Sequence, residues 1–136
     1  MVKHKHRVKV YYKDTDQMGI VYYSRYLEYF EQARTELLSM IGLDVTTIEN
    51  GGIFIPVVIS HCEYKIGAKF EDELVVLSQI DEIPKSRLRI NYNIKDLISG
   101  KSYVEGYTIH AFMKKSGLAV RVPELISKNI KKHFRN

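Results

Sequence analysis

Residues 10–37 read VYYKDTDQMGIVYYSRYLEYFEQARTEL, and this stretch decides the fold. Its first third has the composition of a turn, with two acids and Gly19. After Ser24, which can cap a helix, apolar residues recur at helical spacing up to Gly42, a common helix stop: Leu27, Phe30, Ala33, Leu37, Met40 and Ile41. We therefore predict one long helix whose wide apolar face lies on a sheet.

Strand patterns flank this helix on both sides. From His6 to Tyr12 every second residue points one way, which is typical of a half-buried strand: His6, Val8, Val10 and Tyr12. Four further strands follow, the clearest at residues 87–94, and their tight turns make them antiparallel. Beyond Pro123, apolar residues four apart indicate a short C-terminal helix: Ile126, Ile130 and Phe134. The order predicts an α+β fold in a single domain over residues 1–136, with one long helix on a curved antiparallel sheet of about five strands.

Some predicted strands are apolar on both faces. Val75 and Leu77 point one way, and Leu74 and Val76 point the other. One helix covers only one face of a sheet, so the other face or an edge needs another partner. We expect a homo-oligomer.

Length and composition exclude several classes of protein. A chain of 136 residues, 45% apolar and 27% charged, is one ordinary globular domain. Its longest apolar run, residues 53–59, contains Pro56 and falls far short of the ~18 residues of a membrane span. The basic N-terminus has no apolar segment behind it, so we expect no signal peptide. The lone Cys62 has no disulfide partner within the chain. We expect a cytoplasmic protein.

The formal net charge of +5 is concentrated at the two termini. Residues 1–9 carry a net charge of +4 and residues 119–136 another +4, which leaves the body at −3. Solvated ends that aid solubility are the favoured interpretation, and a site for a phosphorylated small ligand is the alternative. Nucleic-acid binding ranks third, because no nucleic-acid motif accompanies the charge.

Many catalytic motifs are absent. The chain has no G-x-S-x-G, G-x-G-x-x-G, P-loop or C-x-x-C sequence. Cys62 has no activating neighbour and is interpreted as a core thiol. His4 and His6 could share a metal, but no third ligand is evident, so we expect no metal site. His61 and His110 lie in strand patterns and are interpreted as structural.

The densest polar cluster comes directly before the long helix: Tyr12, Asp14, Thr15 and Asp16. Acids at this position have two interpretations. They can accept backbone N–H bonds in a turn and favour the positive end of the helix dipole, which composition alone favours. One of them can instead be a general base or nucleophile beside free helical N–H groups that bind an oxyanion.

Residues 10–37 closely resemble the opening motif of hotdog-fold acyl-CoA thioesterases. The resemblance is to the 4-hydroxybenzoyl-CoA thioesterase superfamily, in particular its branch associated with the bacterial Tol-Pal system. It rests on D-T-D-x-x-G-x-V-Y at residues 14–22 and E-x-A-R-T-E at residues 31–36, and continues more weakly to about residue 125. It implies a hotdog fold, assembly as a dimer or dimer-based homotetramer, and hydrolysis of an acyl-CoA or aryl-CoA thioester. It also implies no metal or redox cofactor, since coenzyme A is part of the substrate.

The resemblance also assigns roles to residues. It implies that Asp16 is the catalytic carboxylate, that the Tyr23 N–H polarises the thioester carbonyl, and that Asp14 holds the turn closed by Gly19. The Tol-Pal branch usually has His at the position of Tyr23, whereas the aryl-CoA members have Tyr there. By similarity, the residues expected to bind the phosphates of coenzyme A are Lys85, Ser86, Arg87, Lys115 and Arg121.

Three alternatives to a thioesterase remain. A non-catalytic acyl-CoA-binding hotdog module would need the same pocket without Asp16. A hotdog dehydratase would carry a His-containing catalytic strand motif, which we do not find. A nucleic-acid binder would show binding that falls steeply with salt.

Overall fold

A computed structural model describes residues 1–135. In chain order its elements are β1 (Val2–Lys9), a 3₁₀ turn (Tyr12–Asp14), α1 (Tyr23–Met40), α2 (Val45–Asn50), β2 (Ile53–Phe54), β3 (Val57–Tyr64), β4 (Glu73–Ile80), β5 (Arg87–Asp96), β6 (Ser102–Lys114), β7 (Ala119–Val120) and α3 (Glu124–His133). The long strands form one antiparallel sheet in the order β1-β4-β5-β6-β3, and β2 and β7 pair with the end of β6. The predicted α+β fold, with five long strands and a C-terminal helix, is confirmed.

The core lies between α1 and one face of this sheet, here called the inner face. Phe30 of α1 stacks on Tyr92 of β5 with 4.2 Å between ring centroids. Gly106 of β6 lies below Phe30, and a side chain there would collide with that ring and with the carbonyl of His61. Each large side chain buried in this way contributes about 1.5–3 kcal/mol. Glycine on β6 therefore lets the helix approach the sheet closely.

The two ends of α1 differ in how well the sequence predicted them. Gly42 stops the helix as expected: its φ is +77°, and the Leu43 N–H donates to the Leu38 carbonyl at 2.8 Å. Ser24 as the N-cap was wrong. Tyr22 occupies that position, because its N–H is held by the carbonyl of Asp14 at 2.9 Å, and no side chain caps the helix.

Two other details of the predicted pattern were wrong. Leu27 and Met40 are 40% and 50% exposed, and tyrosines take inward-facing places on α1. Strand β1 ends at Lys9, so Tyr12 lies in the 3₁₀ turn and is 78% exposed. The chain bends there because the Asp14 carboxylate accepts the Tyr11 N–H at 3.0 Å. Neither α2 nor the two-residue strands were predicted.

The two edge strands of the sheet have opposite surfaces. The outward side chains of β1 are all cationic: Lys3, Lys5, Arg7 and Lys9. Charged edges of this kind discourage pairing with another chain. Strand β3 instead exposes Val57, Val58 and Ile59 and carries no lysine or arginine. The apolar edge is therefore the one suited to pairing.

The lone thiol and the histidines lie in varied surroundings. Cys62 lies half-buried on edge strand β3 rather than deep in the core, and burial raises its pKa. His110 is buried, as expected for a structural residue, whereas His61 is exposed and stacks on Tyr107.

Within residues 1–135 no group of three or more His, Cys, Asp or Glu side chains has the geometry to hold a metal ion. No helix in that range is long and apolar enough to cross a membrane.

Candidate active site

A tight antiparallel loop, residues 14–22, leads directly into α1. The Tyr22 N–H donates to the Asp14 carbonyl at 2.9 Å, and the Asp16 N–H donates to the Ile20 carbonyl at 2.9 Å. Gly19 closes the loop with φ +79°, a backbone conformation that residues other than glycine rarely adopt. The D-T-D-x-x-G spacing therefore places Asp16 near the start of the helix.

Asp14 holds this loop from within. Its side chain is 4% exposed, accepts the Tyr11 N–H, and lies 3.5 Å from Lys13 Nζ and 3.8 Å from Arg25 Nε. The buried hydroxyl of Tyr29 has no hydrogen-bond partner in the described chain. Burial and the neighbouring Asp14 carboxylate raise the Tyr29 pKa, so this phenol stays protonated. Asp14 is thus placed to hold structure rather than to meet a substrate.

Asp16 lies in a different environment. It is half-exposed, and its Oδ1 accepts the Met18 N–H at 2.8 Å. Across residues 1–135, no Lys, Arg or His nitrogen lies within 4.0 Å of this carboxylate. One oxygen is oriented by the backbone and the other is open. This is the arrangement that a general base or nucleophile requires.

The N-terminus of α1 lies beside Asp16. In the described chain the N–H groups of Tyr23 and Ser24 donate to no acceptor, and the helix dipole makes this end electropositive. Asp16 lies two residues along the loop from the Asp14–Tyr22 pair, which corresponds to about 7 Å of extended chain. Free donors and an open carboxylate therefore share one end of the helix, where they can act on one carbonyl group.

An aromatic wall borders this helix end. The rings of Tyr23 and Tyr64 lie 4.8 Å apart, and Tyr26 lies 5.6 Å from Tyr64. Burial and its neighbours raise the pKa of Tyr64 to about 12, so this phenol is uncharged at neutral pH. Sequence reasoning gave Tyr64 no role, because its strand pattern does not show that it faces the start of α1.

Four of the five residues expected to bind coenzyme A lie around the turn between β4 and β5. Lys85, Ser86 and Arg87 line one groove together with Arg89, which sequence reasoning missed. The Val122 N–H donates to the Lys85 carbonyl at 2.6 Å, which brings Arg121 beside this turn. Asp81 and Glu82 also line the groove. Lys115 lies apart, in the turn after β6.

Within one chain, the Asp16 loop and the cations of the groove lie at opposite ends of the sheet. The loop of Asp16 contacts the residues just before β4, because the Val21 N–H donates to the Ala68 carbonyl at 2.8 Å. Lys85 follows the far end of β4, which has eight residues and a length of about 26 Å. A single chain therefore does not bring Asp16 and the groove cations together.

The helix segment E-x-A-R-T-E connects α1 to its surroundings. Ala33 is fully buried in the core. Glu36 lies 2.9 Å from His4 Nε2 and 2.6 Å from His6 Nδ1, and these contacts lower its pKa. The two histidines that had suggested a metal thus join β1 to α1.

Comparison with known proteins identifies relatives along most of the chain. A family model described as the thioesterase-like superfamily matches residues 10–130. The acyl-CoA thioesterase YbgC of Haemophilus influenzae is 39% identical over 77 residues, covering 56% of this chain and 57% of that protein. The crystal structure of a hypothetical protein from Thermus thermophilus has a TM-score of 0.88 and 30% identity, covering 98% of this chain and 99% of that one.

A mutant 4-hydroxybenzoyl-CoA thioesterase complexed with 4-hydroxybenzoyl-CoA gives a TM-score of 0.85 at 19% identity, covering 95% of this chain and 99% of that one. At this identity the likeness concerns the fold alone. Together with the Thermus structure it confirms the predicted architecture. The match to the Haemophilus protein spans little more than half the length of that relative.

The contrast between the two acids of the loop predicts different effects on stability. Asp14→Asn should lower the free energy of unfolding by about 2 kcal/mol, because a buried charged acceptor loses its charge-assisted contacts. Asp16→Asn should change it by less than about 1 kcal/mol, since that side chain is half-exposed. Urea denaturation followed by circular dichroism measures both. Equal losses would contradict the division of roles.

Proposed function

The chain belongs to the thioesterase-like superfamily, and from that premise we propose that residues 1–136 act as one domain that hydrolyses acyl-CoA or aryl-CoA to free acid and coenzyme A. The observation that carries the proposal is the uncapped N-terminus of α1 with Asp16 beside it. Free N–H groups there suit the oxyanion formed when a thioester carbonyl is attacked. The open carboxylate of Asp16 either activates water for the attack or attacks the carbonyl itself.

The reaction follows one of two routes. As a general base, Asp16 takes a proton from water as the oxygen adds to the carbonyl, and the collapsing intermediate expels the coenzyme A thiolate, which is then protonated. As a nucleophile, Asp16 adds to the carbonyl, releases the thiolate and leaves a mixed anhydride that water hydrolyses. In both routes the Tyr23 N–H holds the carbonyl oxygen. Neither route needs a metal or redox cofactor, and coenzyme A is part of the substrate.

We propose that two copies of the chain pair through the free edges of β3. This edge exposes apolar residues without the charges that protect β1, so pairing would bury them. A two-fold axis near the middle of an eight-residue strand sets residues 56–58 against the partner subunit's Tyr64. A dimer, either alone or as half of a tetramer, would bury the exposed edge of β3.

This pairing would reunite the separated halves of the site. Val57 lies at the same end of the sheet as Arg87, since both pair near the His110 end of β6. Tyr64 lies at the end that carries Asp16 and Tyr23. Because the paired strands run in opposite directions, the partner subunit's Lys85 groove reaches the Asp16 end. Cations from one subunit would then hold the phosphates of a substrate hydrolysed by the other.

The cellular location belongs to the same proposal. A lone thiol that forms no disulfide suits a reducing compartment. A coenzyme A thioester as substrate suits the cytoplasm, where we place the protein.

Asp16→Asn should reduce the kcat for acyl-CoA hydrolysis by at least about 100-fold, because it removes the base or nucleophile and keeps the shape. Release of coenzyme A thiol, followed with a chromogenic disulfide, measures the rate. Asp96→Asn, the same change at a half-exposed turn carboxylate that accepts the Ile98 and Ser99 N–H groups, is the matched control and should retain activity. An Asp16→Asn protein with more than a tenth of the wild-type rate would rule out the catalytic role and leave an acyl-CoA-binding module as the alternative.

Disruption of the β3 edge should dissociate the protein and abolish its activity together. Ile59→Asp should shift the mass measured by light scattering from a multiple of 15.9 kDa to that of one chain, because a charge would be buried in the pairing edge. Lys5→Asp, on the other edge strand, should leave the assembly intact. A wild-type protein that is monomeric and active would refute the paired site.

Neutralising Lys85 and Arg87 together should raise the KM for acyl-CoA about tenfold and barely change hydrolysis of a short thioester without the nucleotide. Phosphate contacts far from the reacting carbon hold ground state and transition state alike, so kcat should persist. Equal losses with both substrates would indicate damage to the fold instead.

Mixed dimers test whether these cations act across the interface. An Asp16→Asn chain co-expressed with a Lys85→Ala/Arg87→Ala chain would form one site with both defects and one site with neither. At low acyl-CoA concentration the mixture should be more active than either variant alone. No gain would place the cations and Asp16 of a site on one chain.

A further inference from the structure

A small crevice opens beside the C-terminal half of α1, against α2 and the chain that enters β3. Its volume is about 150 Å³, enough for one six-membered ring. Half of its ten lining residues are apolar, including Leu38, Ile48, Ile53 and Ile55, and the polar half includes Arg34 and His110. No step of the proposed hydrolysis uses this crevice.

The polar atoms of His110 are fully engaged. Burial lowers its pKa to about 4, so the ring is neutral at pH 7 and carries one N–H. Nδ1 lies 3.1 Å from the Ile55 carbonyl, which can only accept, so the proton resides there. Nε2 then accepts from the Thr108 hydroxyl at 2.9 Å, and Thr108 accepts from the Tyr92 hydroxyl at 2.7 Å. His110 therefore presents no free donor to a ligand.

Arg34 is the cationic side chain of the crevice, and its guanidinium carries several N–H donors. It is half-buried beside the Tyr92 hydroxyl, and it opposes the rise in the Tyr92 pKa that burial causes. Within residues 1–135 it forms no ion pair with a carboxylate. Glu31 and Glu49 also line the crevice, but both are exposed, so solvent screens them. A guanidinium in such a place suits a carboxylate.

The paired dimer sets this crevice beside the catalytic helix end of the other subunit. Residues 56–58, which oppose the partner subunit's Tyr64, directly follow Ile55 of the crevice wall. His110 lies one strand further in, so two strand spacings, about 10 Å, separate the aromatic wall from the crevice. Both lie on the inner face of one continuous sheet. A ring attached to a thioester carbonyl spans most of that distance.

We propose that the crevice of each subunit receives the acyl group whose thioester is held at the α1 N-terminus of its partner, and that Arg34 selects compact acyl groups, about one ring in size, that end in a carboxylate. The proposal rests on the proposed thioesterase function. It assigns the arginine of E-x-A-R-T-E to substrate selection. Long unbranched acyl chains exceed the crevice and gain nothing from Arg34.

Two substrates of matched size test the proposal. The wild-type protein should hydrolyse 4-carboxybenzoyl-CoA with a kcat/KM at least tenfold above that for benzoyl-CoA. Arg34→Met should lower this ratio about 10- to 100-fold, since a charge-assisted contact is lost only for the first substrate. Arg34→Lys should keep part of the preference. Arg7→Met, on the outer surface of β1, should leave the ratio unchanged. Because the ratio is taken within one variant, damage to the fold cancels.

Each outcome decides one of the two proposals. A wild-type ratio at or below one, or an unchanged ratio in Arg34→Met, overturns the role of Arg34 and leaves the thioesterase standing. If the wild-type protein hydrolyses no thioester, the proposed function fails, and calorimetry with the free acids decides the crevice. Binding of terephthalate but not benzoate, lost in Arg34→Met, would support it, and equal or absent binding would overturn it.

Discussion

The hydrogen bond from the Tyr22 N–H to the Asp14 carbonyl fixes where α1 begins, and the candidate site depends on it. It replaces the side-chain cap that most helices use, so the next N–H groups remain free. The same loop carries Asp16 two residues from that hydrogen bond and buries the Asp14 side chain near Arg25. One acid of the motif thus contributes stability, and the other stays open to a substrate.

The asymmetry between the two sheet edges determines how a complete site can form. Cations on β1 discourage pairing, whereas β3 exposes valine and isoleucine. Asp16 and Lys85 lie near opposite ends of β4, a strand about 26 Å long, so one chain does not join them directly. The proposed antiparallel pairing of β3 would solve both problems, since it would bury the apolar edge and bring opposite ends of two chains together. In this proposal, oligomerisation is part of the catalytic mechanism.

Local patterns predicted the elements well and the contacts between them poorly. Helical spacing in α1 and strict alternation in β5 follow from which face each residue buries, so they can be read from sequence. Ser24 failed as a cap because a distant carbonyl, that of Asp14, had already fixed the helix start. Asp16 and Tyr23 were predicted through a resemblance to a known motif, whereas the proposed roles of Tyr64 and Arg34 depend on tertiary neighbours that no local pattern shows. No local signal shows which end of a sheet a turn occupies, so the separation of Asp16 from Lys85 could not be predicted.

In the proposed dimer, α1 serves two sites at once. Its N-terminus holds the carbonyl of one substrate, and Arg34, three turns further on, meets the acyl end of the other. Next to Arg34, Ala33 packs in the core, and Glu36 beyond it joins the helix to His4 and His6 of β1. A shift of the helix along its axis would therefore disturb both sites together. The buried hydrogen-bond network of Tyr92, Thr108 and His110 resists such a shift near Arg34, because each of its hydroxyl and ring groups already has a partner. A rigid helix with a fixed first residue thus sets the distance between its catalytic N-terminus and Arg34.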